Sequence, residues 1–428
     1  MPNTFILGID GLPDWMWRKF ADTGVMPHSQ SLLDSGLLVP MQSAIPEVSS
    51  SAWSSIVTGE SAGGHNVFGF TDLIDGSYTM GFTSSRTLKA TPFWSQPNAG
   101  PNLIMNVPQT YPAQPMEGTL VSGFVALDLK RAVHPAEKLE QFEAINYRVD
   151  ADMSVIEQSK EAFVADLRSV LDARCAGLHQ QWDAATWDTI MFVITGTDRL
   201  NHYLWEDFAD TSSPYHQTFL DFYNEVDRQI HRITQRLDDD TTIIAVSDHG
   251  FGPQLVSVNV NYLLAEHGYL KQQQIERPSY LSMEPETIAF AMDPGRIYLH
   301  RECRYPKGTV TAEAAEEHLQ QLTKLFTELE VDGRKLVDKV LRGTDAYAGQ
   351  YAHRAPDLVL MSAENVALSG RMNISELIES TPINGKHTFE NSTFFCRSTN
   401  SIQVPDTMRV QDVMSVYNQT RQRQKVAA

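Results

Sequence analysis

The chain has 428 residues, 42% of them hydrophobic and 20% charged, with 25 Gly, 21 Pro and a formal net charge of −19. That composition excludes a disordered or low-complexity chain and leaves room for two or three domains of about 150 residues, or one large α/β core with an insertion. The acidic balance offers no basic stripe for a nucleic-acid polymer, and it admits a small anionic substrate only where bound cations reverse the local field.

Cys175, Cys303 and Cys396 are odd in number and far apart, which fits a reduced compartment. The N-terminal residues lack a signal-peptide pattern, and no stretch approaches the ~18 apolar residues of a spanning helix, so a cytoplasmic protein with no membrane partner is expected.

Residues 4–9 form a nearly continuous apolar run ending in Asp10-Gly11. This is the pattern of a buried parallel strand that delivers an aspartate to the edge where open α/β sheets bind ligands. Residues 46–59 (Pro-Glu-Val-Ser-Ser-Ser-Ala-Trp-Ser-Ser-Ile-Val-Thr-Gly) read as a loop leading into one short helix closed by Gly59. Ser49 falls at its start, where unpaired N–H groups and the helix dipole favour an anion, whether a phosphate or the serine's own alkoxide. Taken alone, a serine run is more often a helix cap. Residues 63–70 make a glycine-rich turn whose single histidine, His65, is read as structural.

Further strands are expected at 103–108 and 119–124. A helix follows within 155–187, on the spacing of Phe163, Leu167, Val170, Leu171 and Leu178. The buried strand 189–194 leads into Thr197-Asp198-Arg199 and His202. Asp198 and His202 are four apart, so on a helix they share a face and can chelate one ion. An amphipathic helix carrying Phe219, Phe222, Tyr223, Val226, Ile230 and Ile233 precedes the strand 241–247, which ends in Asp248-His249-Gly250. The repeated order of helix, strand and polar tip is that of a wound α/β sheet. Residues 263–350 look different and are read as an inserted cap, with 1–262 and 351–428 as the metal-binding catalytic core. The run 355–361 is read as a strand returning to that core, and Asn384-Gly385-Lys386-His387 as a loop bearing a histidine.

Asp10, Ser49, Asp198, His202, Asp248, His249 and His387 thus stand at the tips of the expected strands. Six Asp and His ligands with one hydroxyl suit two borderline metal ions about 4 Å apart. One ion would lower the pKa of the Ser49 hydroxyl, and the other would polarise a phosphate oxygen or activate water. Both would also draw an anionic phosphoryl group to an otherwise repelling protein.

The chain resembles the alkaline phosphatase superfamily, and most closely its type I phosphodiesterase/nucleotide pyrophosphatase branch. The resemblance is carried by Gly8-Ile9-Asp10-Gly11, residues 46–59, Gly64-His65 with Phe68 and Phe70, and Asn106-Val107-Pro108 with Thr110-Tyr111-Pro112. It continues in Thr197-Asp198-Arg199 with His202, Ser247-Asp248-His249-Gly250, Ala355-Pro356-Asp357 and Gly385-Lys386-His387. It implies a three-layer α/β/α sandwich with a mostly parallel central sheet and a smaller inserted cap. It also implies that Asp198, His202 and His387 bind one metal, that Asp10, Asp248 and His249 bind the other, and that Ser49 is the nucleophile bridging metals and phosphate. Zinc is the usual metal, with manganese as the alternative. The chain departs from the family after His387, where Thr388 to Phe395 replace the usual glycine and apolar strand. The C/S-x-P-x-R pattern of sulfatases and the Asp-Ser-Ala pattern of alkaline phosphatases proper are absent around Ser49.

The expected function is therefore hydrolysis of a phosphodiester or pyrophosphate bond in a small, nucleotide-like molecule through a phosphoserine on Ser49. Phosphomonoesterase, phosphonate hydrolase and phosphotransferase activities on the same fold are the alternatives, and a metal-dependent ligand-binding pseudoenzyme is the non-enzyme one. Arg86 and Lys89 are read as solvated surface groups, and neither they nor Asn66 as a firm substrate clamp.

Overall fold

Side chains alternate along the first strand: Phe5, Leu7 and Ile9 pack into one buried cluster and Ile6 into another. The same division recurs where Ile190, Phe192 and Ile194 oppose Met191 and Val193, and where Ile243 and Ala245 oppose Ile244 and Val246. A parallel strand between two helical layers requires burial on both faces, which is why these segments are continuously apolar.

The computed structural model describes residues 1–373 and 375–427, with side chains as far as residue 421. Strands β1 (Thr4–Ile9), β2 (Leu37–Gln42), β3 (Asn102–Val107), β4 (Gly118–Ser122), β5 (Val133–His134), β6 (Thr189–Ile194), β7 (Thr242–Val246), β8 (Ser392–Arg397) and β9 (Met408–Arg409) form one sheet in the order β9-β2-β8-β7-β1-β6-β3-β4-β5. Strands β7, β1, β6, β3 and β4 are mutually parallel, and β8 runs antiparallel to both its neighbours. Helices α1 (Asp14–Asp22), α2 (Ser49–Thr58), α3 (Lys160–Trp182), α4 (Gly196–Ala209), α5 (His216–Thr234) and α6 (Val413–Ala427) flank it. Trp53 and Ile56 of α2 and Val416 and Tyr417 of α6 pack on one face. Residues of α1, α3, α4 and α5 pack on the other. The fold is thus the mixed α/β sandwich with a mostly parallel central sheet expected from the sequence. No helix among the described residues is long and apolar enough to cross a membrane.

A second hydrophobic cluster surrounds a four-stranded antiparallel sheet of Ala289–Met292, Arg296–Leu299, Leu358–Ser362 and Val337–Arg342, with the helix Ala312–Thr327 beside it. Leu358–Ser362 corrects the sequence reading: it pairs with Arg296–Leu299 and Val337–Arg342, not with the central sheet. A short apolar run reads alike in either sheet, and its partners lie too far away in the chain for periodicity to reveal. His387, expected in a loop, lies in the strand Gly385–Thr388, which pairs with Gly250–Pro253 and sets His387 opposite Phe251.

Candidate metal centre and active site

Because β1, β6 and β7 are parallel, their C-terminal ends share one edge of the sheet, and each delivers polar residues there. Asp10 follows β1, Asp198 lies in the first turn of α4 after β6, and Asp248 and His249 follow β7. Strand β8 is antiparallel, so its N-terminal end reaches the same edge and brings Gly385–Thr388 with His387. Helix α2 begins at Ser49 and ends on Gly59 in the left-handed conformation (φ 75°). The structure brings all seven residues together.

The donor atoms face one another. Ser49 Oγ lies 3.1 Å from His249 Nε2. His249 Nε2 is 3.1 Å from Asp248 Oδ2, 3.6 Å from Asp10 Oδ1 and 3.8 Å from Asp198 Oδ1. Asp198 Oδ1 is 3.1 Å from His387 Nε2 and 3.4 Å from His202 Nε2, and those two ring nitrogens are 3.0 Å apart. Asp10, Asp248 and His249 offer ligand atoms within 4.8 Å of one another, as do Asp198, His249 and His387.

Each candidate ligand is aimed by a second contact. His202, His249 and His387 place Nδ1 at 2.9, 3.1 and 3.0 Å from the carbonyls of Gly385, Gly250 and Glu47, so Nδ1–H donates to backbone and each Nε2 lone pair faces the cluster. Asp10 Oδ2 accepts the indole N–H of Trp53 at 3.0 Å, and Asp248 Oδ1 accepts the N–H of Gly11 at 3.3 Å. The remaining oxygens, Asp10 Oδ1 and Asp248 Oδ2, are buried without a hydrogen-bond partner.

Electrostatically the cluster is divided. Burial, with repulsion from Asp248 and Asp198, holds the Asp10 carboxyl well above its ordinary range. Burial pushes Asp198 in the same direction, but His202 and His387 outweigh it and hold that carboxyl well below. Asp248 is likewise held low by His249 against the effect of burial, and His249 is raised by Asp248 in return. Burial, with the nearby His249, brings His387 down to about 4, so its imidazole is neutral near pH 7.

This donor set fits divalent metal. Three carboxylates and three imidazoles converge, two buried oxygens are orphaned, and the mixture of N and O donors is that of zinc or manganese sites. Two divalent ions against three carboxylates would leave one net positive charge to meet a phosphate.

A family model for type I phosphodiesterase / nucleotide pyrophosphatase matches residues 4–390. The chain belongs to the type I phosphodiesterase/nucleotide pyrophosphatase family. Members of this family are hydrolases of phosphoester bonds. Phosphonoacetate hydrolase from Sinorhizobium meliloti 1021, in complex with phosphonoacetate, is similar in fold at 16% identity and a TM-score of 0.63, covering 98% of this chain and 95% of that one. Murine ectonucleotide pyrophosphatase / phosphodiesterase 5 is similar at 12% identity and a TM-score of 0.55, covering 97% and 94%. An inactive form of the murine protein in complex with AMP gives a TM-score of 0.56. No curated protein matches the sequence.

The same geometry identifies residues of this family member that sequence reasoning missed. Trp53 ties α2 to Asp10, and Gly8 makes room for it: a Cβ there would stand 2.5 Å from Trp53 Cη2. Phe251 packs against the rings of His202, His249 and His387 at 4.9, 5.9 and 5.4 Å. Arg199 bonds Asp198 at 3.4 Å and Asp150 at 2.8 Å, with its guanidinium 4.1 Å from the Phe124 ring. Only the Trp in 46–59 and the Arg beside Asp198 were visible as motif residues. Neither Ser50 nor Ser51 caps α2: Val48 is the N-cap, no side chain caps it, and both hydroxyls are buried without partners. His65 is structural, buried and 3.0 Å from Ser55 Oγ. Arg86 and Lys89 are exposed, and Asn66 donates to the carbonyl of Thr87.

Two cavities flank the centre. One of about 470 Å³ is lined by His202, His387 and an apolar wall including Val48, Phe70, Leu360 and Leu368. The other, about 610 Å³, is lined by Trp15, Trp205, Phe251 and Phe389. Glu47, Ser362 and Lys386 border both. A third cavity, of about 910 Å³, is lined by residues such as Arg301, Arg304 and Arg342 and by none of the seven site residues.

Proposed function

We propose that the chain hydrolyses a phosphodiester or pyrophosphate bond of a small, nucleotide-like molecule through a phosphoserine on Ser49. The observation that best supports this is the position of Ser49: it opens a helix with no side-chain cap, and its hydroxyl lies 3.1 Å from His249 Nε2, one of the six Asp and His side chains that face one another at the sheet edge. Asp198, His202 and His387 would hold one divalent ion and Asp10, Asp248 and His249 the other, zinc or manganese. When bound, the ions supply Lewis acidity, lowering the hydroxyl pKa and neutralising phosphoryl charge.

The protein's own contribution is positional. Ser49 Oγ attacks phosphorus, forming an O–P bond as the P–O bond to the leaving group breaks. Water then cleaves the phosphoserine and restores the hydroxyl. The first N–H groups of α2, with the positive end of its dipole, favour the phosphoryl oxygens. The residues of 263–350, extended by Leu358–Ser362, act as the cap that borders the cleft. The likeness to phosphonoacetate hydrolase supports phosphonate hydrolysis as a second reading.

The test is turnover of bis-p-nitrophenyl phosphate, p-nitrophenyl phosphate, a nucleotide sugar and phosphonoacetate by the metal-loaded protein and by Ser49→Ala. Loss of about a thousandfold or more with both metals retained is expected. Unchanged turnover in the variant, or full activity with one ion per chain, would overturn the assignment.

A further inference from the structure

The cleft contains a cation that the proposed chemistry does not use. Lys386 immediately precedes His387 in the strand Gly385–Thr388, and it borders both cavities flanking the centre. Its ammonium bonds Ser362 Oγ and approaches the carbonyl of Ala363 at 3.5 Å. An ammonium has three donors, so one remains unspent. No carboxylate among the described residues forms an ion pair with it, although Glu47 borders the same two cavities.

A charge placed this way is costly unless something compensates it. The same salt-free position could have been filled by an apolar side chain, since most of the adjoining wall is apolar: Pro46, Val48, Phe70, Leu360, Leu368 and Ile383 all line the smaller cavity. Lys386 is the single Lys or Arg among that cavity's lining residues, whereas Glu47 and Asp293 contribute negative charge. In a chain of net charge −19, a substrate carrying a second anionic group would be repelled from this wall without a fixed cation to meet it.

We propose that Lys386 is a specificity-determining residue that pairs with a second anionic group of the substrate, lying beyond the reacting phosphorus in the cavity bordered by His202 and His387. The inference rests on the phosphohydrolase reading for where the phosphorus sits. The group recognised is a phosphoryl or a carboxylate oxygen, both of which accept charge-assisted hydrogen bonds from an ammonium. Lys386 thereby separates substrates with two anionic centres from simple diesters with one.

Two measurements test this on the full-length, metal-loaded protein. In the first, kcat/KM is compared for bis-p-nitrophenyl phosphate, with one anionic centre, and for a nucleoside diphosphate sugar and phosphonoacetate, each with two. Lys386→Met is expected to lower the ratio of doubly to singly anionic substrate by about tenfold or more, chiefly through KM, and Lys386→Arg to restore most of it. Which doubly anionic substrate responds identifies the phosphoryl or the carboxylate as the partner. In the second, calorimetry compares inorganic pyrophosphate and inorganic phosphate binding to Ser49→Ala with and without Lys386→Met. Pyrophosphate affinity is expected to fall at least several-fold more than phosphate affinity. Equal losses for both ligands, or for both substrate types, would make Lys386 merely a support for His387 and overturn the proposal. If the wild type turns over none of the substrates, the hydrolase reading fails while the calorimetry still decides the role of Lys386.

Discussion

The imidazole rings of His249 and His387 stack at a centroid distance of 3.5 Å and an interplanar angle of 19°, although one follows β7 and the other precedes β8. Each ring sends its Nδ1–H outward to a backbone carbonyl, which leaves two Nε2 lone pairs facing Asp198 Oδ1, at 3.8 Å from His249 and 3.1 Å from His387. Such an arrangement is self-repelling without a cation, and that property underlies the first prediction.

Chelation of the metals should lower the melting temperature, and added zinc or manganese should restore it. Ligand at a hundred to a thousand times its dissociation constant stabilises by about 3–4 kcal/mol per site. The pH dependence has a definite sign. Asp10 has a raised folded-state pKa, so in the metal-free protein its stabilising protonation is complete below 3.8 and is lost as pH rises through the folded value. The gap between metal-loaded and metal-free melting temperatures should therefore widen toward neutral pH. A gap that narrowed in calorimetric scans would contradict this.

Trp53→Phe removes the N–H that satisfies Asp10 Oδ2 while keeping most of the ring volume. Loss of such a supporting bond typically weakens metal affinity by about 10- to 100-fold. Competition with a chromophoric chelator should detect the change. Gly8→Ala should act through the same indole, because the new methyl group would displace it.

Phe251→Ala opens a cavity beneath the three histidines proposed as ligands and should cost about 3–5 kcal/mol of stability in chemical denaturation. Phe251→Leu, which keeps more of the volume, should cost less and retain more metal.

Away from the metals, His65 provides a separate pH test. Burial holds its protonation down to about 3 from an ordinary 6.5, and its Nδ1 accepts the N–H of Val67 at 3.1 Å. The unfolded chain takes up this proton as pH falls through 6.5, but the folded protein does not until about 3. Stability is complete above 6.5 and falls by about 1.4 kcal/mol per pH unit below it. His65→Gln should flatten that part of the acid limb in a series of denaturation curves.

The sequence alone determined the central strands and the residues they carry to the active edge. Continuous apolar runs ending in Asp10, Asp198 and Asp248-His249 are local signals, because a strand buried on both faces must be apolar throughout and its tip need not be. The helix over Ser49 to Thr58 was legible for the same reason, through its spacing and its closing glycine. Tertiary structure decided what depends on contacts between distant segments. It moved Leu358–Ser362 to the second sheet, put His387 into a strand opposite Phe251, and gave the helix start at Ser49 no serine cap. It also set Trp53 against Asp10, Phe251 beneath three histidines, and Lys386 between two cavities. None of these has a sequence period, because each is fixed by how two separate elements pack, and only the folded chain brings them within reach of one another.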